Sequence, residues 1–142
     1  MQFTSAPRFR AMSIAVAIGM ALSIAACGGV SSPSTNVREP FSGTLLPGGE
    51  TFHAFNVPDR RGEYEIALTT MNPVAVIGIA LGQMINVSGT WTCLATASAN
   101  PFATVGKTIG GQIQQGSYCA LVYDANKSLT TPVAYTITVS HP

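Results

Sequence analysis

Two histidines, His53 and His141, two aspartates, Asp59 and Asp124, and three cysteines, Cys27, Cys93 and Cys119, are what this 142-residue chain offers for acid–base, nucleophilic or metal chemistry. A nucleophile–base–acid set needs a serine or cysteine within hydrogen-bond reach of a histidine that a carboxylate orients. Serines abound, yet no Gly-x-Ser-x-Gly elbow accompanies them. His53, flanked by Phe52 and Phe55, reads as a solvent-facing or hydrogen-bonded strand residue, and the penultimate His141 as exposed or frayed. No catalytic constellation is assembled, so the chain is not expected to be an enzyme. With 7 Lys+Arg, 6 Asp+Glu and a formal charge of +1, it also lacks a basic stripe that could neutralise a run of phosphates, and no nucleic-acid partner is expected.

Cys27 has a context of its own. Arg8 and Arg10 precede the mainly apolar run Ala11–Ala26, too short to span a bilayer and followed at once by Gly, Ser and Pro, which is the order of a cleaved secretory signal. Ile24-Ala25-Ala26-Cys27 resembles a bacterial lipobox, which implies cleavage before Cys27 and lipidation of its thiol. Residues 1–26 are therefore expected to be the signal peptide, and 27–40 the lipidated cysteine with a flexible tether of small and turn-forming residues. Cleavage removes both signal arginines and turns the formal charge to −1. Gly28 is not the aspartate that retains many enterobacterial lipoproteins in the inner membrane, so a lipid-anchored place in the bacterial envelope, at the outer membrane, is expected. In that oxidising compartment Cys93 and Cys119 form an even pair expected to be bridged, the alternative being two buried free thiols. Too few ligands are then left for zinc, and no metal or cofactor is expected.

The elements that must position these residues are strands. From Phe41 onward, short β-branched and aromatic runs alternate with Gly, Pro, Asn and Asp turns, the pattern of an all-β domain over 41–142. Strands are expected near Phe41–Leu46, Thr51–Val57, Gly62–Thr70, Val74–Leu81, Thr90–Ala95, Thr104–Ile109 with Gln112–Ile113, Ser117–Asp124 and Pro132–Ser140. Tyr64, Ile66 and Leu68, and likewise Tyr135, Ile137 and Val139, mark buried faces. The wholly apolar Val74–Leu81 suits a buried strand with Ala and Gly outside, or one whose outer face meets a partner. Asp59-Arg60-Arg61 reads as a solvated hairpin tip, and Asn86-Val87-Ser88 and Asn126-Lys127-Ser128 as turns.

Phe41-Ser42-Gly43-Thr44-Leu45, Pro47-Gly48-Gly49, Phe52, Phe55-Asn56-Val57 and Gly62-x-Tyr64-x-Ile66-x-Leu68 resemble the opening of the bacterial pre-peptidase C-terminal domain. Gly116–Asp124 and Tyr135–Pro142 look like its closing pair of strands. The resemblance implies a jelly-roll-like antiparallel β-sandwich of about eight strands. Members of that family are mostly non-catalytic appendages of exported proteins, and some bind calcium or extracellular polymers. Asp59 and Asp124 are the only aspartates and no Asp-x-Asp run occurs, so a calcium site is not carried over.

The expected function is a membrane-anchored accessory module that binds an envelope protein or polysaccharide. A small hydrolase, an enzyme inhibitor or a purely structural envelope component is the alternative. Trp91 reads as core, with a stacking platform for a sugar or peptide as its other reading, and Phe102, in the aperiodic Thr96–Ala103 loop, is a contact residue if exposed.

Overall fold

The computed structural model describes residues 35–58 and 60–142, so the signal segment, Cys27 and Asp59 lie outside the described residues. The alternation along the chain produces eight strands: β1 (Val37–Leu45), β2 (Glu50–Val57), β3 (Gly62–Asn72), β4 (Ile77–Val87), β5 (Thr90–Ala103), β6 (Thr108–Ile113), β7 (Gly116–Tyr123) and β8 (Val133–His141). They form two four-stranded sheets, ordered β1-β8-β3-β6 and β2-β7-β4-β5, with antiparallel pairing throughout. Successive strands exchange sheets, except at the β4–β5 hairpin, which is the connectivity of a jelly roll. The expected all-β, eight-stranded sandwich is the architecture found.

Facing sides of the two sheets make the core. Tyr64, Ile66 and Leu68 of β3, Tyr135, Ile137 and Val139 of β8, Ile77, Ile79 and Leu81 of β4, and Tyr118, Ala120 and Val122 of β7 are all buried there. The outer sides differ. On the first sheet they carry Ser, Thr and Glu, with Ser42 Oγ and Thr136 Oγ1 paired at 2.9 Å. On the second they carry Phe52, Ala54, Leu121, Ala80 and Gly82 with the Cys93–Cys119 bond (Cα–Cα 6.0 Å). That bond spans from β5 to β7 across β4, and only a glycine fits beneath it: a Cβ on Gly82 would lie 2.5 Å from Cys93 Sγ and 2.8 Å from Cys119 Sγ.

Several boundaries differ from expectation. β1 starts at Val37, so Val37–Pro40 belong to a strand paired with β8 and not to the tether. β4 starts at Ile77 and runs to Val87, leaving Val74 (87% exposed) outside it. The strand that the apolar run foretold is buried with Gly and Ala outside, since Gly78 and Gly82 take the outer side with Ala80 between them. Thr96–Ala103 is strand and not loop, because β5 continues past a bulge at which the β4 register shifts between Ala80 and Gly82. Thr96 Oγ1 donates to the Leu81 carbonyl there (2.8 Å), replacing a ladder bond.

Candidate functional site

Among the described residues, neither histidine side chain is hydrogen-bonded to an aspartate. His53 lies on the inner side of β2, stacked on Phe41 (ring centroids 5.1 Å), with Nε2 2.9 Å from the Tyr135 hydroxyl. Desolvation holds its pKa below the ordinary value and raises that of Tyr135, so the pair is neutral near pH 7. His141 is buried, contrary to the exposed or frayed terminus expected: pairing with Val37 holds its backbone, its ring sits on Phe55 (5.0 Å), and Nε2 is 3.0 Å from Glu39 Oε1. Asp124 ties down two turns. Its carboxylate accepts from the Gly48, Ser128 and Leu129 amides at 2.9, 3.0 and 3.2 Å. Partial desolvation pushes its pKa up, but these three bonds outweigh it and leave the carboxyl below its usual range. Among the described residues no three His, Cys, Asp or Glu side chains cluster as a metal site would require.

What the fold does build is a cleft. Where the β5 bulge faces β6, the open side of the sandwich holds a shallow, solvent-open recess of about 720 Å³. Its walls are Thr96 and Ser98 from the bulge, Gln83 from β4, Gln112 from β6, and Gln114 and Gln115 from the β6–β7 turn. Tyr64 and Tyr118 form part of the floor, the Tyr64 hydroxyl bonded to Ser98 Oγ. Gln115 Nε2 donates to the Pro58 carbonyl (2.7 Å), which fixes that amide. None of the lining side chains is charged. Amides and hydroxyls both donate and accept, so such a wall suits a neutral ligand rich in hydroxyl groups.

Sequence reasoning did not single out these glutamines. Gly110-Gly111-Gln112-Ile113-Gln114-Gln115-Gly116 is conspicuous in composition, but only the approach of β5 to β6 turns it into a wall.

The second candidate surface is the β4–β5 hairpin. β4 pairs with β7 only as far as Gln83, and the remaining Met84–Val87 with Thr90–Cys93 pair with each other beyond that point. Ser88 (φ 51°) and Gly89 (φ 87°) make the tight turn, with the Gly89 amide bonded to Asn86 Oδ1 (2.9 Å). Trp91 is thus not core: it is 60% exposed on this arm, and Val87 (54%) and Leu94 (58%) are exposed on the hairpin's other side. Phe102 is exposed as well, at the far end of β5, so the structure does not bring it together with Trp91. Cys93 and Cys119 are bonded as expected, and their bond holds the base of the arm to β7.

No protein-family model matches the sequence, and no curated protein matches it. Among solved structures, the chain is similar to the crystal structure of Aeromonas hydrophila PliG, a periplasmic inhibitor of g-type lysozyme. The TM-score is 0.48 at 12% identity, over 80% of this chain and 93% of that one. A likeness at this level carries no functional inference.

Proposed function

We propose that the protein is a lipid-anchored bacterial envelope lipoprotein whose jelly roll is a non-catalytic binding module for a neutral polysaccharide. The observation that carries the binding half is the uncharged cleft walled by Gln83, Gln112, Thr96 and Ser98. Vicinal sugar hydroxyls match amide groups that donate and accept side by side, and a ligand without charge needs no ionic partner. A peptide added as a strand is disfavoured at this place, because the Thr96–Ser98 bulge interrupts the β5 edge that would have to receive it. The anchoring half rests on Ile24-Ala25-Ala26-Cys27 and agrees with the non-catalytic role implied by the resemblance to the pre-peptidase C-terminal domain.

Retention on immobilised neutral polysaccharides tests the binding half. Gln83→Ala with Gln112→Ala, both exposed positions, should lower retention at least tenfold with the unfolding midpoint unchanged, taking roughly 1 kcal/mol for each lost hydrogen bond. Equal retention of parent and variant refutes the cleft. If the protein slows a cell-wall hydrolase without being retained on the polymer, the inhibitor alternative replaces the polysaccharide reading. Metabolic labelling with palmitate tests the anchor: label that vanishes in Cys27→Ala supports it, and label that persists refutes it.

A further inference from the structure

We infer that the β4–β5 hairpin is a second membrane contact: its tip enters the headgroup region of the bilayer to which the N-terminus is anchored. The inference rests on the proposed lipidation of Cys27 and adds a contact that lipidation does not require.

The topology places the hairpin and the start of the domain at one end. Val37 pairs with His141, and His141 reaches Phe55 near the end of β2. The short β2–β3 and β6–β7 connections put Val57, Gly62, Ile113 and Gly116 at that same end, and β4 runs toward it to the Ser88-Gly89 turn. Cys27 lies about ten residues before Val37, which limits the gap to about 35 Å even for a fully extended chain. Lipidation of Cys27 would thus hold this end of the domain within that reach of the bilayer. The last four residues of β4 continue some 13 Å past its final pairing with β7, toward the membrane.

The chemistry of the arm fits that position. From Gln83 to Ala95 it has no charged residue. The arm presents Val87 on one side and Trp91 on the other, both more than half exposed, with Leu94 (58%) exposed at its base. Tryptophan is the side chain most at home at the headgroup level, where its ring is buried and its indole N–H stays hydrogen-bonded. Arg38, Arg60 and Arg61 lie at the same end, whereas Lys107 and Lys127 lie in turns at the opposite one. Glu39, Glu63 and Glu65 lie at that end too, so the charges of its described residues balance and the uncharged arm, not net charge, carries the inferred contact.

Trp91 is the only tryptophan of the chain, so its emission reports the arm alone. The lipidated full-length protein is reconstituted into vesicles of phosphatidylethanolamine and phosphatidylglycerol carrying brominated acyl chains, then floated. Flotation together with a blue-shifted emission, most of it quenched by the brominated lipid and little by aqueous iodide, is the expected result. Val87→Glu, at an exposed position, should return the emission to that of a water-exposed indole while flotation persists. Flotation with Trp91 still open to iodide overturns the inference and leaves the anchor intact. Absence of flotation, with no palmitate on the protein, refutes the anchor and the inference with it. A blue shift that grows with protein concentration in the absence of vesicles shows that a second copy covers the arm, and also overturns the inference.

Discussion

Replacing Gly82 by alanine places one methyl group under the disulfide strap, and its cost can be worked out from the geometry. The new Cβ would lie 2.5 and 2.8 Å from the two sulfurs and 2.9 Å from the Leu94 carbonyl oxygen, where ordinary contact needs about 3.5–4 Å. The sulfurs are bonded to each other and their strands are laddered to β4 on either side, so neither can swing away alone. Relief requires β5 to lift from β4 by most of an ångström near the base of the arm. Overpacking of this kind costs typically about 1–3 kcal/mol. Loss of glycine's freedom in the unfolded chain returns about 0.4–1 kcal/mol. A net loss of about 1–2 kcal/mol is expected, or roughly 4–16 °C in the midpoint of thermal unfolding for a domain of this size. The informative assay is a double-mutant cycle. In a Cys93→Ala/Cys119→Ala background both sulfurs are gone, only the Leu94 carbonyl contact remains, and Gly82→Ala should cost less by at least about 1 kcal/mol. Equal costs in the two backgrounds would show that the strap does not press on Gly82 and would refute the reasoning.

Removing the disulfide by the same double replacement should cost about 3–4 kcal/mol by the chain-entropy argument for its separation of 26 residues, read as a lower urea midpoint with the fold retained. His53 supplies a pH dependence. Burial holds its folded pKa below the unfolded value of 6.5, so the unfolded chain takes up a proton first and stability is lost as pH falls below about 6.5, an effect that His53→Gln should flatten in urea titrations at pH 7.5 and 5. Ile137, fully buried in β8, should lose about 2–5 kcal/mol as alanine, and an unchanged midpoint would contradict the core assigned to it.

The parts of the fold legible in the sequence are those whose side chains alternate with one inner and one outer partner. Tyr64-x-Ile66-x-Leu68 and Tyr135-x-Ile137-x-Val139 satisfy that condition, and both strands lie where their period puts them. β5 does not satisfy it. Its bulge shifts the register after Ala95, so Thr96–Ala103 has no single period and reads as a loop. Val74 and Val76 mislead in the opposite sense, being apolar in sequence yet exposed just before β4. Trp91 looks like core because a large ring is usually buried, but its strand has outrun β7, and only the pairing registers reveal that. His141 looks frayed by its position in the chain, whereas pairing with Val37 and the Glu39 carboxylate hold it. The cleft draws on five strands, so no contiguous segment could announce it.

The pairing of β1 with β8 decides how the domain bears load. β1 is an edge strand, hydrogen-bonded to β8 alone, and its nine residues each have a partner there. A pull on Val37 from its N-terminal side, resisted by anything gripping the far end of the domain, acts along the strand axis. All nine rungs then carry the tension together in shear. A pull applied at Val37 and His141 at once, as when a second tether is fused after Pro142, would open the same ladder one rung at a time, like a zip.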